Sequence, residues 1–203
     1  MQGGMFRDDL RQAHEYWFGT LSEPERFPSN RATIWFERSD ATDSYIRETF
    51  GPKLDPIATA DWHVADLDRE EGVGLVVFLD QFPRNIFLDS PAAFAYDSRA
   101  REIAGALLER NQYDYHPVER VFLALPFEHS EALADQDRAV RLMEDLVAAL
   151  PGADRFYSDA LDYARKHRDI VLLFHRFPHR NAVLGRRSTP EEEAFLKEHG
   201  RGY

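Results

Sequence analysis

The stretch Val73-Gly74-Leu75-Val76-Val77-Phe78-Leu79 decides the fold. An unbroken apolar run of this length suits a buried strand as well as a buried helix, and periodicity does not separate the two. The rest of the chain does. No other segment offers a partner strand, so the run reads as a helix and the fold as all-α.

Outward from it, helix signals recur in both directions. Arg7 to Phe18 carries Leu10, Ala13 and Trp17 at three- or four-residue spacing, with Phe6 just ahead and Gly19 as a stop. Residues 19–31 are rich in Pro, Ser, Glu and Arg and read as a loop. Asp40 to Phe50 and Lys53 to Ala60 follow as helices, separated by Gly51-Pro52. On the other side, Ser90-Pro91 pairs an N-cap with a proline at the first helical position and predicts a long helix to about Arg110. His116-Pro117 opens a short helix that stops near Pro126, and Ser130 caps a long amphipathic one to Leu150. Pro151-Gly152 breaks the chain before a helix from Asp154 to about Phe174. Thr189-Pro190-Glu191-Glu192 is a capping box that starts a last helix to His199. The expectation is eight or nine helices in antiparallel pairs, forming one domain over residues 1–203, since no Gly/Ser-rich linker divides them.

Composition narrows the function. Among 203 residues, 25 Lys and Arg stand against 36 Asp and Glu, a formal charge of -11. Phosphate backbones and anionic membranes would repel such a chain, so neither nucleic acid nor a membrane is an expected partner. There is no Cys, which removes disulfides, zinc-thiolate sites, iron–sulfur clusters and cysteine nucleophiles together. No apolar run approaches the roughly 20 residues of a spanning helix. Asp8 and Asp9 lie where a leader would be apolar, and a cytoplasmic setting is expected.

Polar residues with chemical potential gather in three stretches, each at the end of an apolar helix. They are Asp80-Gln81-Phe82-Pro83-Arg84-Asn85; Glu128-His129-Ser130-Glu131 with Asp135-Gln136; and His175-Arg176-Phe177-Pro178-His179-Arg180-Asn181 followed by Gly185-Arg186-Arg187. The first and third share a Phe-Pro…Arg-Asn echo, which is either a duplicated site-forming turn or a pair of helix stops. His129, His175 and His179 with Glu128 or Glu131 have atoms that bind zinc or iron. However, Pro178 should break the helix that would align His175 with His179, and the flanking arginines repel cations, so no metal or other cofactor is expected. Glu128, His129 and Glu131 could act as an acid–base set beside a helix start at Ser130. They could equally be a charged helix end neutralised by arginine. Asp80, Gln81, Arg84, Asn85, Arg176, His179, Arg180 and Asn181 form a set suited to an anion, because arginine recognises planar anions through forked hydrogen bonds. The competing reading is an ion-pair network among helix ends. Arg84 and Arg180 are expected to pair with carboxylates drawn from Asp80, Glu128, Glu131 and Asp135. His129 is the most function-like residue, expected to line a cavity with Arg84, His179 or Arg180. Trp17, Trp35 and Trp62 read as core residues or as the lining of a groove.

Phe78–Phe87 (FLDQFPRNIF), Leu125–Glu131 (LPFEHSE) with its downstream Asp-Gln, and Arg176–Glu192 (RFPHRN-x-x-LGR-x-ST-x-E-E) occur in this order. With the early YWFG and IWF segments, they resemble the bacterial DUF924 family, a domain of unknown function, over nearly the whole chain. The resemblance implies a tetratricopeptide-repeat-like α–α superhelix and no defined activity. His175 stands where that family usually has Gly. Two functions are open: a binding module whose Arg/His/Glu pocket takes an anionic small molecule or peptide, and a small hydrolase or acid–base enzyme using Glu128, His129 and Glu131.

Overall fold

In the computed structural model, which describes residues 3–21, 23–111 and 114–200, Val73–Leu79 lies inside an 18-residue helix, Arg69–Ile86, and every residue from Glu71 to Asp80 is buried. Asp68 caps this helix: its carboxylate accepts from the Glu71 N–H at 2.9 Å, while Glu71 accepts from the Asp68 N–H at 3.0 Å. Gly74 explains why the run tolerates so close a neighbour. A Cβ there would lie 2.0 Å from the backbone oxygen of Leu10, so the first helix crosses where only glycine leaves room.

The described residues form ten α-helices and no strand: α1 (Arg7–Phe18), α2 (Ala32–Phe36), α3 (Asp40–Thr49), α4 (Gly51–Thr59), α5 (Arg69–Ile86), α6 (Asp97–Asn111), α7 (Pro117–Glu128), α8 (Leu133–Ala149), α9 (Arg155–Phe174) and α10 (Pro190–His199). Nine match expected segments, and the addition is α2, a five-residue helix just beyond the stretch read as loop. α5 is central and packs against α1, α3, α4, α6 and α7, while α7 packs on α8 and α8 on α9. Only residues 150–154 join α8 to α9, so the two long helices run back along each other. The core is aromatic: Trp17, Phe18, Phe50, Phe78, Phe82 and Phe127 are all essentially inaccessible. Burying rings of this size supplies roughly 25 cal/mol for each Å² removed from water. No helix of the described residues is long and apolar enough to cross a membrane.

Four helix ends differ from expectation. Pro83 and Pro126 lie inside α5 and α7, which continue to Ile86 and Glu128. A proline so near a helix end removes one backbone hydrogen bond without stopping the last turn. Ser90-Pro91 starts a 3₁₀ turn, Pro91–Phe94, and α6 begins only at Asp97. Ser130 is not the N-cap of α8, a place held by Ala132. Its hydroxyl instead donates to Asp135 at 2.6 Å and accepts from the Ala132 N–H at 3.2 Å. The buried Gln136 amide donates to the carbonyls of Glu128 and Ser130, each at 2.6 Å. Satisfying these carbonyls at the end of α7 fixes the corner that carries the second polar stretch.

Candidate functional site

The three polar stretches converge, and Asp80 is where they meet. Its carboxylate is wholly buried on α5, 2.8 Å from Nδ1 of His129, and it accepts a hydrogen bond from the Gln81 amide. Arg84 Nη1 lies 3.4 Å away, one turn along the helix. Burial by itself would raise the Asp80 carboxyl; His129 and Arg84 outweigh it, and with the Gln81 hydrogen bond they hold it at about 2. Arg180 closes the ring from the third stretch by donating to the backbone oxygen of His129 at 3.0 Å.

The expected acid–base set does not form one constellation. Glu128 is the last residue of α7, and its carboxylate lies 2.9 Å from Nδ1 of His167 on α9. His129 follows as the C-cap of that helix, not beside a helix start, and its ring is turned to Asp80. Glu131 takes a forked pair from Arg186 at 2.6 and 2.9 Å and also accepts from the Phe177 N–H at 2.8 Å. Although burial opposes it, the Arg186 hydrogen bonds and the Phe177 N–H hold the Glu131 carboxyl below its ordinary range. His129 lines neither of the two cavities described below, contrary to expectation.

Several anion candidates are structural. Asn85 points away to Asp43 on α3 at 2.8 Å. Arg176 forks onto Glu192 of α10 at 2.6 and 2.8 Å, and Asn181 donates to the same carboxylate at 3.1 Å. The Arg176 hydrogen bonds lead in pulling the Glu192 carboxyl to about 2, working against burial and helped by the Thr189 N–H and Asn181. Thr189 and Glu192 complete the expected capping box. His175 ends α9 in the left-handed region, φ 57°, which is where a helix stop favours glycine. The Pro178–Arg180 turn follows outside the helix, so His175 and His179 share no helical face and the Phe-Pro echo with Pro83 is one of sequence only.

Arg84, His179 and Arg180 do come together, around a cavity of about 340 Å³ that Ser90, Phe94 and Val183 help to line. Arg84 forks onto Asp97 at 2.9 and 3.0 Å. Asp97 was not among the carboxylates expected for it, while Asp80 was. The Arg180 guanidinium is 10% exposed and lies over two rings, 4.6 Å from the centroid of Phe94 and 4.7 Å from that of Phe177. Its nearest carboxylate is Asp97 at 3.8 Å, and its Nε is buried with no acceptor among the described residues. Burial, then the like charge of Arg84, lowers Arg180 to about 10. Burial and then Arg180 drive His179 down to about 4, so its ring is neutral near pH 7.

One residue of interest escaped the sequence reading. His167 sits in the run Arg165-Lys166-His167-Arg168-Asp169, which reads as a solvated face. Ala164 three residues before it and Val171 four residues after it, both buried on α9, are the cue that it belongs to an inward stripe. Although burial disfavours its charge, the Glu128 hydrogen bond and charge raise the His167 pKa.

The fold and site define an all-helical protein in which a buried carboxylate–histidine–arginine hub ties three helix ends together beside a small cationic cleft. The chain belongs to the bacterial protein family of unknown function DUF924, whose profile matches residues 13–200. It is similar to a solved structure described as a protein of unknown function, ATU0120, from Agrobacterium tumefaciens. The two are 31% identical with a TM-score of 0.68, over 96% of this chain and 98% of that one. No curated protein matches the chain.

Proposed function

We propose that the protein binds a small anionic ligand, a carboxylate or phosphate carried on a small molecule or peptide end, in the cleft between Arg84, His179 and Arg180. The observation that carries this reading is the state of Arg180. A guanidinium has five N–H donors, and this one is nearly buried, repelled by a second guanidinium, and has its nearest carboxylate at 3.8 Å. A bound anion relieves that repulsion, and the stacked rings hold the fork in a fixed plane for bidentate recognition. A cavity of about 340 Å³ falls at the small end of ligand sites. Presentation of this cleft by a helical-repeat scaffold in the cytoplasm is part of the same reading. Acid–base catalysis by Glu128, His129 and Glu131 is the weaker alternative, because each is engaged by a different partner.

The test is thermal unfolding with inorganic phosphate, acetate and chloride at matched ionic strength. A ligand at 100 times its dissociation constant adds about 2.7 kcal/mol of stability. Phosphate or acetate should raise the melting temperature above chloride. Arg180→Met should lose that response, as should Val183→Glu, which brings a tethered carboxylate to the cleft. Equal responses to all three salts, or a response unchanged in Val183→Glu, would contradict the reading.

A further inference from the structure

A larger cavity, of about 610 Å³, opens between α2, α7, α8 and α9 and shares no lining residue with the cationic cleft. One wall is aromatic. Trp35 meets Phe122 at 4.8 Å and Phe156 at 6.3 Å between ring centroids. The polar lining is Gln81, Glu128, Asp159, Tyr163 and His167, with no Lys or Arg among the lining residues.

Hydrogen-bond bookkeeping fixes what this polar end offers. Nδ1 of His167 is 2.9 Å from the Glu128 carboxylate and 2.9 Å from the backbone oxygen of Tyr163. Both oxygens only accept, so Nδ1 carries the proton and the neutral ring keeps its lone pair on Nε2. Nε2 has no hydrogen-bond partner among the described residues, and the ring is held edge-on to Phe177 at 5.6 Å. One amide N–H of Gln81 goes to Asp80, which leaves its second N–H and its carbonyl oxygen to meet a ligand. The Glu128 and Asp159 carboxylates only accept, while the Tyr163 hydroxyl and the second Gln81 N–H can also donate, so the ligand group that fits this end best is one that both donates and accepts. Carboxylates and phosphates meet two acidic side chains and no arginine, and an ammonium meets His167 when that ring is charged. A hydroxyl suits both states of the ring, donating to the neutral imidazole and accepting from the imidazolium.

We infer that this groove is a binding site for an uncharged, hydroxyl-bearing aromatic molecule, whose ring packs on Trp35, Phe122 and Phe156 and whose O–H meets His167 Nε2. The site is independent of the anion cleft, so either assignment can fail without the other. Trp35 supplies the optical signal. The probes are p-cresol, toluene and 4-methylbenzoate, titrated against the full chain by tryptophan fluorescence and calorimetry. The expected result is saturable p-cresol binding at least tenfold tighter than toluene or 4-methylbenzoate, the scale of one net hydrogen bond. His167→Phe keeps a ring and removes the nitrogens, and it should bring p-cresol and toluene to equal affinity. Ala160→Phe fills the groove from α9 and should abolish binding of both, with its melt and circular dichroism confirming the fold. This second variant decides the matter if His167→Phe does not fold. Failure of p-cresol to bind, equal binding of toluene by the wild-type chain, a p-cresol preference unchanged by His167→Phe, or full binding in folded Ala160→Phe would each overturn the inference.

Discussion

Replacing Asp80 by Asn removes a charge and little else. The shape is kept, and the amide can still accept from Gln81. What is lost is the attraction of a buried carboxylate to His129 at 2.8 Å and Arg84 at 3.4 Å. Lowering the carboxyl from 3.8 to about 2 in the folded chain corresponds to about 2 kcal/mol of stability at neutral pH. Leaving Arg84 short of a partner adds to that figure. For a chain of this length the melting temperature should fall by roughly 5–10 °C. The pH dependence identifies the cause. Ionised Asp80 stabilises the fold above the unfolded carboxyl's ordinary value of 3.8, and that contribution disappears as pH falls through about 2. Urea unfolding of wild type and Asp80→Asn at pH 7 and pH 3 should therefore show a gap that shrinks by about half at pH 3. The same gap at both pH values would mean that packing, not charge, makes Asp80 important. No gap at pH 7 would refute the hub altogether.

Three further predictions follow from the same geometry. His179 is held down at about 4, so below pH 6.5 the unfolded chain takes up a proton first and the fold loses up to about 3 kcal/mol by pH 4; in His179→Gln, the stability slope over that range should be shallower, and an unchanged slope would clear His179 of the effect. Gly74→Ala should destabilise by about 3 kcal/mol or more, because the new Cβ meets the Leu10 backbone and not a side chain that can turn aside; a melting temperature equal to wild type would show that α1 and α5 do not approach this closely. Gln136→Leu leaves the Glu128 and Ser130 carbonyls without their donor and should cost about 1–3 kcal/mol in urea unfolding, whereas a neutral result would mean that α7 ends without this latch.

The fold was legible because its decisive signals are local. Thr189 and Glu192 are three residues apart and cap each other, and the run at Val73–Leu79 needed only the absence of partner strands. Signals that depend on the rest of the fold misled. Ser130 resembles a cap by type, but Asp135 and Gln136 take over its surroundings and push the start of α8 to Leu133. Pro83 and Pro126 resemble stops, yet each lies a few residues before the end of a well-packed helix. In the site, the convergence of the three stretches was readable from their order and chemistry. Their pairing was not. Asp97, the forked partner of Arg84, lies 13 residues away on another helix with nothing in its local sequence to mark it. His167 was hidden for the opposite reason, since the charges around it read as solvent-facing while its own ring turns inward to Glu128.

The measurement that bears most directly on the account is the anomalous diffraction of a crystal of this protein soaked in selenate, an anion whose position the scattering marks without ambiguity. A peak is expected in the cleft beside Arg180, within hydrogen-bond distance of its guanidinium and lined by Arg84 and His179. An empty cleft with selenate bound at other arginines of the surface would contradict it.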